Sequence, residues 1–397
     1  MPSQINSKII IILKIGELTL KGENRENFEL ILRRNLKTML CSRAPKSTLE
    51  SRPGRIYIHC TGEETADAAE EILSRLMGIA GWARTQKTEK TIDEVLAACV
   101  NEGKRLAENG TKTYKIEARR ADKSFPINSY EICCAAGDAI SRKIPQLCVN
   151  VKKPEETISV EIREKAYIYS MGKKGRRGLP VGSAGRGLLL LSGGIDSPVA
   201  GCLMAGRGMG LNAVYFHTPP YTSAEALDKT ITLAEITGSY CMGMHLYIVN
   251  LTEIQKRIAE KTPSEWSTIL LRMAMIDAAS LIALKTKAKC LITGESLSQV
   301  ASQTIENISC TESRARLPVL RPLIGMDKEA IITLAKDFGT YETSILPHAD
   351  CCALFTPIHP VLRGKVKEAS ALYETLNIHD MLFEAARIAE VKKCGYY

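Results

Sequence analysis

The sequence predicts a multidomain chain in which small α+β units precede a larger α/β domain built on a parallel sheet. Three observations carry this. The first 170 residues alternate short apolar runs with helix-spaced segments. From Leu188 onward, near-continuous apolar strands alternate with longer helical patterns, as in a parallel sheet covered on both faces. Between them, Gly172 to Gly187 (GKKGRRGLPVGSAGRG) is rich in glycine and basic residues and reads as a linker. A length of 397 residues accommodates two or three domains.

At the N-terminus, Ile9 to Leu13 is an apolar run of strand length. Arg25 to Leu40 carries Phe28, Ile31, Leu32, Leu36, Met39 and Leu40 at close to helical spacing. Arg55 to Cys60 (RIYIHC) puts Ile56 and Ile58 on one face of a strand, and Ala66 to Met77 reads as a helix. The expected order is β-α-β-α, with strands too few for a large sheet. A second unit follows. Thr91 to Asn109 is helical and stops at Asn109-Gly110, Thr113 to Arg119 is a strand and Ser129 to Ile144 a helix. Thr157 to Ile162 and Lys165 to Ser170 form a hairpin across Arg163-Glu164.

In the C-terminal part, strands are expected at Leu188–Leu191, Asn212–His217, Met244–Val249 and Cys290–Thr293. Helices are expected at Ser197–Arg207, Ser223–Thr237, Thr252–Glu260, Ser267–Thr286 and Lys328–Phe338. The chain contains no internal repeat and no low-complexity tract.

Composition narrows the class. Hydrophobic residues make up 45% and charged residues 24%, ordinary for a globular protein. The start, MPSQINSK, has no apolar run behind a basic end, and no later stretch reads as a membrane span, so neither signal peptide nor membrane association is expected. Thirteen scattered cysteines, an odd number, fit a reduced cytoplasmic setting better than a disulfide framework. The net charge of +9 lies entirely in residues 1–177, which hold 32 Lys+Arg against 23 Asp+Glu; the remainder holds 21 of each. Such an excess attracts a polyanion through phosphate contacts and counterion release, although a solvated basic surface accounts for charge alone equally well.

The strongest chemical signal is LLLLSGGIDSPVA at Leu188 to Ala200. A four-leucine strand runs into Ser192-Gly193-Gly194-Ile195-Asp196-Ser197, and a helix follows. Gly193 and Gly194 let a ligand approach the backbone closely. Ser192, Ser197 and the N–H groups of the helix start make an anion cradle, and Pro198 suits the first helical turn. No Gly-Lys-Ser/Thr follows, so this is not a Walker loop.

The segment resembles the pyrophosphatase loop, SGGxDS, of enzymes that split ATP between its α and β phosphates and adenylate a substrate. The loop alone leaves GMP synthetase, NAD synthetase and tRNA-modifying enzymes open. Its surroundings narrow the choice: GELTLKGENR from Gly16, YFHTPP from Tyr215, Leu271-Arg272-Met273, LITGES from Leu291, VASQT from Val300, RPLIGMDK from Arg321, and Asp350-Cys351-Cys352. Together they resemble the tRNA 4-thiouridine synthetase family, ThiI, from end to end, in its short form without a rhodanese domain. The resemblance implies an N-terminal ferredoxin-like domain at 1–75, a THUMP RNA-binding domain at 76–171, a linker at 172–187, and an adenine-nucleotide α-hydrolase-like PP-loop pyrophosphatase domain at 188–397. It implies that the first two units bind tRNA and that the third uses Mg2+-ATP to adenylate uridine 8.

The same resemblance implies roles for single residues. Leu190, Leu191, Tyr215, Phe216, Arg272, Gly294 and Gln303 line the nucleotide site, the two leucines through their backbone. Arg272 supplies charge to a phosphate. Asp196 holds Mg2+ or orients the attacking uridine, with a helix-start carboxylate favoured by the dipole as the plain alternative. Lys328 neutralises charge on the transferred phosphate. Cys352, with Cys351 beside it, carries the sulfur chemistry as a thiolate; the other eleven cysteines read as structural. Only about 40 residues follow Cys352, too few for a rhodanese domain, so a cysteine desulfurase or another persulfide donor is expected as partner. No Cys-x-x-Cys pair supports an iron–sulfur cluster, and no protein ligand set for a metal is assigned. Ferredoxin-like units offer pairing surfaces, which leaves a homodimer open, and some family members have a second role in thiamine thiazole synthesis. Two rival readings are a PP-loop enzyme that adenylates a small molecule or another tRNA base, and a noncatalytic RNA-binding protein with an ATP-regulated pocket.

Overall fold

The computed structural model describes residues 9–17, 25–52, 54–348, 357 and 359–395. The chain forms two compact units divided between Arg177 and Gly178, except that Asn27–Asn35 of the first helix groups with the second unit. In the first run β1 (Ile9–Ile15), α1 (Arg25–Arg43), β2 (Ser47–Arg52), β3 (Arg55–Cys60), α2 (Glu63–Arg75), β4 (Ile79–Thr88), α3 (Ile92–Glu108), β5 (Thr113–Arg120), α4 (Ser129–Lys143), β6 (Cys148–Val149), β7 (Glu156–Ile162), β8 (Ala166–Tyr169) and β9 (Lys173–Lys174).

These strands form one nine-stranded sheet rather than two small ones. Its order is β2-β3-β1-β4-β8-β7-β5-β6, with β9 also on β4. The expectation of too few strands is therefore corrected, and the reason is β4. Its first part pairs antiparallel with β1, Ile10 opposite Thr85, while its last residues pair antiparallel with β8, Lys87 opposite Tyr167. The stretch expected to be a linker opens with strand: Lys173 and Lys174 pair with Trp82 and Gly81. Helix limits follow their caps. Thr91 accepts a bond from the Glu94 N–H at 3.4 Å and starts α3. Asn128 and Glu131 form a reciprocal capping box at the start of α4.

The second unit comprises β10 (Arg186–Leu190), α5 (Asp196–Gly206), β11 (Gly210–His217), α6 (Ala224–Tyr240), β12 (Met244–Asn250), α7 (Thr252–Lys261), α8 (Ser267–Lys285), β13 (Leu291–Ile292), α9 (Ile305–Glu312), β14 (Val319–Leu320), α10 (Lys328–Phe338), α11 (Tyr341–Ser344), α12 (Val366–Thr375), α13 (His379–Arg387) and β15 (Glu390–Cys394). The sheet order is β14-β13-β10-β11-β12-β15. Five strands are parallel and β15 is antiparallel to β12, so the sheet is mixed at one edge. Helices α5, α6 and α10 pack together on one face, and α7, α8, α12 and α13 on the other. Contrary to the sequence reading, one stretch, Ser264–Lys285, is long and apolar enough to cross a bilayer. It contains α8, the buried centre of this core.

Close backbone approach fixes where α6 lies. A Cβ on Gly238 would stand 2.8 Å from the Cys394 carbonyl oxygen and 3.1 Å from the Gly395 Cα. Gly137, in α4, has open space at the same position. Gly238→Ala is expected to destabilise the second unit by about 1–3 kcal/mol through overpacking, whereas Gly137→Ala should be neutral or stabilise by up to about 1 kcal/mol. Urea denaturation of the two variants checks the contrast in sign.

Candidate active site

From β10 the chain returns to β11 on one side, while β13 comes to lie on the other. The carboxyl ends of these parallel strands therefore open a crevice at a topological switch point. A cleft of about 240 Å³ lies there. Leu190, Leu191, Ser192 and Gly194 line it from the β10–α5 turn, and Asp196 and Ser197 from the first residues of α5. Tyr215 and Phe216 reach it from β11, Arg272 from α8, Gly294 from the exit of β13, and Gln303 from a short 3-10 turn. Gly193 belongs to the same turn but does not line the cleft. The structure thus gathers ten of the eleven residues expected at the nucleotide around one opening, with Asp196 beside them.

The turn is closed from within. The Ser192 N–H donates to Ser197 Oγ at 2.9 Å, the two serine hydroxyls lie 3.1 Å apart, and the Gly194 N–H reaches Ser192 Oγ at 3.3 Å. Ser197 therefore shapes the loop with its hydroxyl. Ile195 precedes α5 and offers no side-chain cap, so the dipole and the first N–H groups of α5 remain available to an anion. Gly294 is required by distance: a Cβ there would stand 2.7 Å from the Ser197 nitrogen.

Beyond the expected residues, the site has an acidic keystone. Glu295 is 3% exposed. Its carboxylate accepts bonds from Arg272 Nη2, from Arg321 Nε at 2.8 Å and from Thr293 Oγ1 at 2.8 Å. Arg321 also reaches Glu312 at 2.8 Å, and Arg272 Nη1 reaches Ser302 Oγ at 3.3 Å. Burial pushes the Glu295 pKa up, and the Arg272 and Arg321 guanidiniums more than offset it, so the carboxyl lies below its usual value of 4.5. The LITGES segment carried this signal, a carboxylate directly after the strand-end glycine. Nothing in the sequence indicated its two arginine partners.

Asp196 and Lys328 meet. Lys328 Nζ lies 2.6 Å from Asp196 Oδ1, and Gln299 Nε2 donates to Oδ2 at 3.0 Å. Lys328 opens α10, where a cation opposes the helix dipole, and its carboxylate partner offsets that cost. Cys351 and Cys352 lie outside the described residues. The chain leading towards them is anchored by buried Lys229, whose ammonium donates to the carbonyls of Leu346 at 2.9 Å and His348 at 3.5 Å. The five described cysteines of this unit, Cys202, Cys241, Cys290, Cys310 and Cys394, are all buried. Burial pushes the Cys241 and Cys394 thiols up to about 12 and raises Cys290 and Cys310 as well. Thiols so raised are poor nucleophiles at neutral pH.

Comparison with known proteins matches three family models to successive parts of the chain. A model described as ThiI ferredoxin-like domain matches residues 10–83, a THUMP domain model matches 89–170, and a model described as Thiamine biosynthesis protein (ThiI) matches 182–378. A probable tRNA sulfurtransferase of Treponema pallidum (strain Nichols) is 45% identical over 385 residues, covering 96% of this chain and 95% of the relative. One of Acetivibrio thermocellus is 42% identical over 386 residues, covering 97% and 98%. The chain belongs to the tRNA sulfurtransferase family, ThiI.

Among solved structures, a 4-thiouridine synthetase in complex with RNA and bound ATP is 34% identical, covers 98% of this chain and all of its own, and superposes with a TM-score of 0.88. PH1313 from Pyrococcus horikoshii Ot3, at 24% identity and a TM-score of 0.64, shares the fold. Within this tRNA sulfurtransferase the third matched model spans every residue that lines the cleft, while β9 and β15 lie outside the matched ranges.

Because the folded Glu295 pKa is depressed, its contribution to stability is complete above about 4.5 and is lost as pH falls through the lower folded value. Stability of the second unit is expected to hold from pH 8 to 5 and to decline below. Glu295→Gln, which leaves two buried guanidiniums without a carboxylate, should cost about 3–5 kcal/mol at neutral pH and flatten that decline. Urea titrations of both proteins from pH 3.5 to 8 check the two statements together.

Proposed function

We propose that this chain is an ATP-dependent tRNA sulfurtransferase that adenylates uridine 8 of tRNA and replaces its O4 with sulfur, giving 4-thiouridine. The observation that carries the proposal is the cleft itself: a pyrophosphatase-type turn, an uncapped helix start and a guanidinium cluster at one switch point, in a chain matched over nearly its whole length by tRNA sulfurtransferases. The wall fits a polar anionic ligand. Arg272 Nε and Gln303 Oε1 are buried there without a partner among the described residues, and an unmade bond at a buried polar atom costs about 1–3 kcal/mol. ATP as substrate supplies the adenylyl group, and binding at this wall would satisfy both atoms.

The residues then divide the work. Gly193, Gly194 and the α5 N-terminus receive phosphate oxygens, and Arg272, held by Glu295, adds positive charge. Lys328 exchanges Asp196 for a phosphate oxygen and stabilises negative charge developing there. Asp196, released, holds Mg2+ or orients the uridine. A single carboxylate suits Mg2+ that arrives with the triphosphate and keeps most of its water. Uridine O4 attacks the α-phosphorus and pyrophosphate leaves. A sulfur nucleophile then attacks C4 and AMP leaves. Cys352, with Cys351 beside it, carries that sulfur as a persulfide supplied by a cysteine desulfurase or another donor. Its attack joins Cys352 to C4 through an S–S bond. A thiol reductant then attacks the Cys352 sulfur, breaking that bond, releasing 4-thiouridine and leaving Cys352 as a disulfide with that thiol.

Two variants separate the half-reactions. Asp196→Ala is expected to retain tRNA binding and lose tRNA-dependent AMP release, by at least about 100-fold if it removes a charge-stabilising group. Cys352→Ser should retain AMP release and lose 4-thiouridine. Purified protein, unmodified tRNA, Mg2+-ATP and a persulfide donor are incubated, AMP is quantified and the digested nucleosides are analysed by mass spectrometry. Wild-type protein that yields neither AMP nor 4-thiouridine overturns the proposal, and full thiolation by Cys352→Ser overturns the cysteine assignment.

A further inference from the structure

Helices α3 and α4 cover one face of the β5, β7 and β8 part of the first unit's sheet. In β5, Ile116 and Ala118 pack towards the core formed by α3 and α4, so Glu117 and Arg119 point the other way. Register carries that second face across the sheet. Glu117 lies opposite Ser159 and Arg119 opposite Glu161, while Ser159 faces Tyr169 on the next strand. In the other half of the sheet, Lys14 of β1 lies opposite Arg55 of β3. The two halves curl towards each other across this face, where the Tyr57 and Tyr167 rings stack with centroids 4.7 Å apart.

Beside that closure lies a cavity of about 250 Å³, lined by Lys14, Arg55, Arg119, Glu117, Glu161 and Tyr169 among others. Its carboxylates are already engaged. Glu161 accepts three bonds from Arg55, the shortest 2.7 Å, one from Arg163 at 3.0 Å and one from the Tyr169 hydroxyl at 2.8 Å. Glu117 pairs with Lys115 at 2.6 Å. Two cations are left over. The Lys14 ammonium lies 4.9 Å from the Tyr169 ring centroid, and neither it nor Arg119 has a hydrogen bond or ion pair among the described residues. Burial holds the Lys14 pKa below its usual value, with Arg55 and Arg119 acting in the same direction and Glu161 and Glu117 opposing. Those two carboxylates act on Lys14 without pairing with it directly, and a half-buried ammonium gains from an anion in contact.

We infer that this cavity is a phosphate subsite in which Lys14 and Arg119 together hold one backbone phosphate of the bound RNA. The inference rests on the tRNA reading above. A polymer phosphate is favoured over a free anion because the cavity lies within the 177 residues that carry the whole net charge of +9. That field gathers a polyanion and brings further contacts to the same chain of phosphates.

The test is filter binding of an unmodified tRNA transcript to the full chain over 50–300 mM KCl. Each lost phosphate contact should lower the slope of log affinity against log salt by about one. Lys14→Met and Arg119→Gln are each expected to lower the slope and to weaken binding several-fold at low salt. Lys14→Arg should restore the slope, and ATP binding should be unchanged in all three. Arg119 is exposed, so its variant stays informative if the Lys14 variants fold poorly. Wild-type slopes in both Lys14→Met and Arg119→Gln overturn the subsite, as does affinity lost without a change of slope. Inorganic phosphate that competes at the cavity while tRNA slopes stay constant also overturns it. Wild-type protein that binds no tRNA at low salt fails the tRNA reading instead.

Discussion

Glu295 lies in the irregular stretch that leaves the two-residue strand β13, and the cleft depends on what surrounds it. Gly294 lets the β13 exit press against α5, since any Cβ would collide with the Ser197 nitrogen. The following carboxylate is thereby forced inward, where only a charge partner makes its burial tolerable. Arg272 and Arg321 provide two, so the three side chains keep a net charge of +1 after the carboxylate is neutralised. Glu312, the further partner of Arg321, is half-exposed and screened by water. The arrangement fixes the Arg272 fork while leaving positive charge at the wall. A lone Arg–Glu pair would have fixed the side chain and cancelled the charge.

The Asp196–Lys328 pair works by a different rule. Both residues begin helices, so the aspartate gains from the α5 dipole while the lysine loses from that of α10. Their 2.6 Å contact settles this imbalance near solvent, where an ion pair contributes little net stability. The mechanism proposed above uses that weakness: a partner that is readily exchanged would leave the ammonium free for phosphate and the carboxylate free for a cation or the uridine. The buried Glu295 cluster holds its geometry, and the half-exposed Asp196 pair is able to change it.

Much of the fold could be read from the sequence because local signals coincided with tertiary ones. RIYIHC alternates and is a strand; Thr91 and Asn128 cap the helices they precede; Lys328–Phe338 runs from its Asp327 cap to the left-handed Gly339. Where the pattern was ambiguous, pairing decided. β4 (IAGWARTQKT) lacks regular alternation because its two ends answer to different neighbours, β1 and β8. β15 (EVKKC) is polar in the manner of an edge strand, protected by lysines, and so reads as loop. The site was legible to the same degree. The turn glycines and Asp196 declare themselves by spacing within a few residues. The Glu295 partners come from segments 23 and 26 residues away, a proximity only the folded sheet creates.

The two units solve one electrostatic problem alike. Glu161 in the first and Glu295 in the second are nearly completely buried, each held by two arginines and one hydroxyl, and each with a pKa below the usual value despite burial. Each cluster carries a net +1 while its carboxylate is fully satisfied. Elsewhere the charges of the first unit cancel at the surface, as where Arg84 is met by Glu63, Asp67 and Glu70. Net charge by sequence therefore points to the unit that gathers a polyanion but not to the side chains that would hold it. In the second unit the charge at the cleft wall is that of Arg272, which Glu295 orients but does not neutralise; in the first, Lys14 and Arg119 stand beside a Glu161 carboxylate already satisfied by other arginines.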